Sequence, residues 1–264
     1  MITLLVNIKQ TNLLTFKFKK ASWPFWLILN LCLSVSTICS AKESNAETII
    51  VGCSDWKPYC FPVDDQLQGH SYAIIQKIMD ASQVEYNFKF YPWNRIYQLA
   101  MKTEDHLIVG LGRTNKRENH FTWIAPVRKP AKIFVYQLKN SPVKIDNESD
   151  LFNYRLAVER GSFTHDYLLA LEYDRKKLIT VSRMKQLLMM AKHGRIDGFI
   201  LDESVLESES IKNNIDAGLF KKSFLAFEVT EYLAASKNIS AEVVNKIKKS
   251  YHHLIQNKVI QLPD

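Results

Sequence analysis

Acidic residues are absent from the first 41 positions of this 264-residue chain, and long apolar runs and paired metal-ligand spacings are absent from the rest. Residues 1–41 hold Lys9, Lys17, Lys19 and Lys20 with no Asp or Glu, and Trp23 to Ser40 carries no charge. A basic front, an uncharged apolar stretch and a small-residue exit read as a secretory signal over residues 1–41, cut after Ala41 or, second, after Ala46. The competing reading is an uncleaved anchor, because the stretch approaches the roughly 20 residues that span a bilayer. Without the four lysines the net charge of +8 falls to 31 basic against 27 acidic residues, a net of +4 spread along the chain. That excess is a poor match to a nucleic-acid partner. Two of four cysteines lie in the signal. Cys53 and Cys60 remain, and they either close a short loop as a disulfide in an oxidising compartment or sit as two small buried thiols. His252 and His253 are adjacent and would point about 100° apart on a helix, so no metal site is expected. What is present is a globular composition, 47% apolar with 8 Gly and 8 Pro, and no internal repeat or low-complexity segment.

From Glu47 short apolar runs alternate with helical periodicities. Glu47–Cys53 reads as a strand, Ser71–Ser82 as a helix with Ile74, Ile75, Ile78 and Met79 inward, and Val84–Tyr91 as a half-buried strand. Pro92 opens a helix over Trp93–Met101, and Leu107–Leu111 is a buried strand. This alternation implies a mainly parallel sheet covered by helices. Pro130–Leu138 is expected to cross to a second unit on the same plan: strand Tyr154–Val158, helix His165–Tyr173, strand Leu178–Val181, helix Arg183–His193 and strand Phe199–Leu201. Ser223–Ala235 returns as one or two strands, and Ser240–Asn257 closes as a helix. The expected fold is α/β with two lobes on two crossing strands: lobe 1 from residues 47–135 and 228–264, lobe 2 from residues 136–227.

The chemistry concentrates where strands empty into helices. After Gly112, Thr114 can cap a short helix through Asn115, Lys116, Arg117 and Glu118, and a helix start flanked by Arg113 and Arg117 suits a carboxylate. Gly161-Ser162 repeats the pattern. Asp202, at the carboxyl end of a strand, lies where open α/β sheets bind ligands. Trp56, in the loop Asp55-Trp56-Lys57-Pro58-Tyr59, either packs or, as an aromatic in a proline-fixed loop after a strand, faces a cleft.

Those loops, with Gly69, Phe121, Pro126 and Gly194-Arg195-Ile196-Asp197, resemble the family 3 periplasmic solute-binding proteins, receptors of polar amino acid ABC importers, over about residues 47–258. The resemblance implies the type II periplasmic binding fold, with Arg117 gripping a ligand α-carboxylate and Asp202 its ammonium. It implies further contacts from Gly110, Gly112, Thr114 and Ser162, and Trp56 stacked on the ligand. His70, Trp93, Arg95 and Arg113 either face the cleft or seat their helices. His70 and Arg113 depart from the family pattern, as does Lys102-Thr103-Glu104-Asp105, which lacks the usual Gly-Asp. The implied function is capture of an amino acid or similar small zwitterion by hinge closure in the periplasm, as a monomer, for an ABC permease or receptor in the inner membrane, with no cofactor or catalytic residue. The alternatives are an enzyme on this scaffold of the cyclohexadienyl dehydratase kind, using Glu118, His70 or His165, and a membrane-tethered ligand sensor.

Overall fold

The computed structural model describes residues 48–64 and 66–264; the expected signal, residues 1–41, lies outside them. The first sheet takes β1 (Ile49–Cys53), β4 (Tyr86–Phe90), β5 (His106–Gly112), β6 (Phe121–Pro126) and β12 (Glu231–Ser236), in the order β4-β1-β5-β12-β6. β1 runs parallel to β4 and β5, and β12 is antiparallel to β5 and β6. The second sheet takes β7 (Ala131–Leu138), β8 (Leu156–Glu159), β9 (Leu178–Val181), β10 (Gly198–Asp202) and β11 (Phe220–Val229), in the order β11-β7-β10-β8-β9. In each sheet the strand next to one edge, β12 in the first and β7 in the second, runs antiparallel to the other four, and helices cover both, in agreement with the expected two-lobe α/β fold.

Helical spacing decides the packing. In α1 (His70–Ser82), Ile74, Ile75, Ile78 and Met79 share one face and are buried. Each fully buried side chain of this kind contributes roughly 1.5–3 kcal/mol. The long helix α7 (Ala241–Gln256) packs on α1 through Val244, Ile247 and Leu254, so the end of the chain completes the first core. α2 (Trp93–Lys102) starts after Pro92, whose missing N–H costs nothing there, and buries Ile96 and Ala100. A four-residue turn of helix, α3 (Asn115–Glu118), follows β5. In the second lobe α4 (Phe163–Ala170), α5 (Met184–Lys192) and α6 (Glu203–Lys212) follow β8, β9 and β10 in turn.

The chain changes sheets between Pro126 and Ala131, and again at Thr230. Residues 131–135, expected in lobe 1, and 228–229 with them, belong to the second sheet. β7 pairs along its whole length with β11, from Ala131 opposite Val229 to Leu138 opposite Phe220. A continuous strand shows no break where its partner changes, so the sequence pattern does not mark the passage. Cys53 and Cys60 are joined as a disulfide. It closes the loop that carries Trp56, and a hairpin of β2 (Phe61–Val63) and β3 (Gln66–Gln68) that the sequence pattern did not suggest follows it.

Candidate ligand-binding cleft between the lobes

Gly110 shapes the cleft from the first lobe. Its φ is +80°, and a Cβ there would stand 2.4 Å from the Trp56 ring, so only glycine lets the indole lie against β5. Trp56 is held by its backbone pairing with Cys60 and by the Tyr59 ring, 4.5 Å away between centroids. Opposite, Ser162 caps α4 by accepting from the His165 amide at 3.1 Å. Between these walls lies a cavity of about 600 Å³ lined from both sheets, by Trp56, Trp93, Gly110 and Glu231 on one side and Glu159 and Ser162 on the other. A smaller one of about 70 Å³ shares Trp56, Glu159, Ser162 and Glu231 with it and reaches Asp202. The larger is of a size for a small organic molecule.

Carboxyl groups set the electrostatics. Glu231 starts β12 at the return crossing and is 3% exposed, and its Oε2 has no hydrogen-bond partner. The nearest cation, Arg128 Nη1, is 3.6 Å away. Burial, against that guanidinium, pushes its carboxyl up to about 8. Glu159, at the end of β8, is raised to about 7 by burial, with Glu209 and Asp55 adding like charge. Lys212 reaches across the cleft to Asp55 and bonds Glu209 at 3.2 Å. Among the described residues no group of His, Cys, Asp or Glu is placed to hold a metal ion.

The model of the bacterial extracellular solute-binding proteins, family 3, matches residues 49–261. The chain belongs to that family. Solved structures similar to this solute-binding protein include a histidine kinase sensor domain with similarity to periplasmic binding proteins, at 17% identity and a TM-score of 0.72 over 80% of this chain and 92% of that one. The arginine-, lysine-, histidine-binding protein ArtJ from Geobacillus stearothermophilus gives 17% and 0.68 over 80% and 91%. Holo ArgBP from T. maritima gives 18% and 0.66 over 79% and 91%. No curated protein matches the sequence.

The solute-binding protein departs from expectation at the two charges on which the sequence reading leaned. Arg117 is fully buried and lines neither cavity. Its Nε donates to Asp166 Oδ2 at 2.9 Å, Nη2 to the Gly161 carbonyl at 3.0 Å and Nη1 to the Gly112 carbonyl at 3.3 Å. Asp166 lies in the first turn of α4, so this bond ties the lobes together, and Lys116 joins it at 2.6 Å. Asp202 accepts from Ser204 and Val205 as the cap of α6 and from Arg128 Nη2 at 3.1 Å. The pair does not meet across a shared gap; each charge is neutralised from within.

Trp56, Gly110, Ser162 and Trp93 line the main cavity. Trp93 also donates to the Gly161 carbonyl at 3.0 Å, bridging the lobes. Gly112 does not line it: a Cβ there would meet Phe163 of α4 at 2.6 Å, so this glycine is where the lobes touch. Thr114 Oγ1 is buried without a partner. His70 sits at the exposed start of α1, Arg95 lies over Tyr91, and Arg113 pairs with Glu118 at 2.5 Å on the outer face, all outside the cavities. Glu159, Glu209, Glu231, Lys212 and Arg128 were not singled out from the sequence. Glu159 sits at the carboxyl end of a parallel strand, the signal that drew attention to Asp202, and deserved the same weight.

Proposed function

We propose that this protein is a periplasmic receptor that captures an amino-acid-sized solute between its two lobes and presents it to an ABC permease or a receptor in the inner membrane. The observation that carries the reading is the cavity of about 600 Å³ walled by both sheets beside the two crossings. Its acidic wall and its indoles favour a solute with an ammonium or guanidinium group. Arginine-binding proteins stand among the structures of the same fold, which agrees with that chemistry.

A thermal-shift screen of amino acids, amines and organic acids tests it. A ligand at 100 times its Kd adds about 2.7 kcal/mol, or roughly 5–10 °C for a domain of this size. A folded protein whose melting no member of the set moves refutes solute capture. A second reading, an enzyme on this scaffold, draws support from Glu159, whose carboxyl at about 7 suits proton transfer. Chromatography of a ligand incubated with the protein separates the two, because a receptor returns it unchanged.

A further inference from the structure

The buried part of the cavity wall has carboxylates to spare, while its uncommitted cations stand exposed. Of its basic residues, Lys212 is committed to Asp55 and Glu209. Arg183 and Lys185 stand exposed to water, where a pairing is worth little. The guanidiniums nearest the cleft lie outside its lining, Arg117 paired with Asp166 and Arg128 with Asp202, with Glu231 3.6 Å from Arg128 Nη1. The start of α4 on this wall already has Asp166 in its first turn as its negative charge. Glu231 is the reverse case, a buried acid whose Oε2 makes no hydrogen bond, with Arg128 Nη1 3.6 Å away, in the wall shared by both cavities.

An unpartnered buried carboxyl is unfavourable until a donor arrives. An ammonium or guanidinium would supply one, and Trp56 and Trp93 offer ring faces to its alkyl or planar part. An α-carboxylate entering the same wall would meet Glu159 and Glu231, with only the water-exposed Arg183 and Lys185 to take it. From these placements we infer that the ligand is an organic amine or guanidine without an α-carboxylate, held by Glu231 and Glu159, and that Asp166 occupies Arg117 in place of a ligand carboxylate. The inference rests on the cleft being a solute site. It also accounts for the raised carboxyls, which a bound cation would return to the ionised form.

The test compares pairs that differ only in the carboxylate. Calorimetry of the purified protein with agmatine against arginine, and cadaverine against lysine, should show the amine binding at least tenfold tighter in one pair. Glu159→Gln and Glu231→Gln should each weaken that amine at least tenfold. Glu159 is only half-buried, so its variant stays informative if the Glu231 variant fails to fold. Tighter binding of the amino acid in both pairs, or unchanged amine affinity in Glu159→Gln, overturns the inference and leaves solute capture standing. Binding only of neutral or acidic amino acids does the same. Failure of all four probes and of the wider screen overturns both.

Discussion

Asp166→Ala is the most informative single change, because it strips the carboxylate from a guanidinium that has no access to water. Arg117 is 0% exposed, and its remaining partners would be two carbonyls. Removing one member of a buried ion pair costs about 3–5 kcal/mol when the other cannot escape. Here the two carbonyls retain part of the stabilisation, and the lobes can part to rehydrate Arg117, so the lower end, about 3 kcal/mol, is expected. For a domain of about 220 residues that corresponds to roughly 6–12 °C in Tm. Thermal unfolding followed by circular dichroism reads the loss. Small-angle scattering of the same variant should report a larger radius of gyration, because the bond removed joins the two lobes. The double change Arg117→Met with Asp166→Leu should recover most of the stability by replacing the pair with apolar contact. A single variant melting within 2 °C of the parent, at unchanged radius, would refute the claim that this ion pair holds the cleft shut.

Two further outcomes follow from the same geometry. Glu231 is raised to about 8 and Glu159 to about 7, above the usual carboxyl value, so the folded state keeps protons that the unfolded chain releases near 4.5. That stability is fully present below the unfolded value and is lost as pH rises through 7 to 8. Urea midpoints should therefore fall between pH 5 and 9, and Glu231→Gln should flatten the decline, with Arg128 and Asp202 as the charged groups nearest it; a midpoint independent of pH in the parent contradicts this. Gly110→Ala sets a Cβ into the Trp56 ring at a left-handed φ and should cost about 1–3 kcal/mol. It should also shift tryptophan emission, and an unaltered spectrum would mean that Trp56 does not pack there.

The elements were legible because their signals are local. Ile74, Ile75, Ile78 and Met79 announce α1 by spacing alone, and the run from Leu107 announces β5. The hairpin of β2 and β3 was not legible, since three-residue strands are too short to show a period. At the site, Trp56 could be read from a fixed loop, and Gly110 followed from the family resemblance alone. The state of Arg117 could not, because it depends on Asp166, 49 positions away, and that of Asp202 depends on Arg128, 74 positions away. Motifs place a charge at a strand end; they do not say which charge the rest of the chain brings to meet it.

The two links between the sheets are short, residues 127–130 outward and Thr230 alone on the return. They are also stitched to the first sheet, Val127 donating to the Glu231 carbonyl at 2.9 Å and Arg113 to that of Thr230 at 2.9 Å. Any swing of one half against the other must be taken up by the torsions of five residues. Sliding and twisting are thereby suppressed in favour of a jaw-like arc. A molecule so tethered would return the same two faces to each other at every stroke, with the length of the covalent leash acting beside the content of the walls.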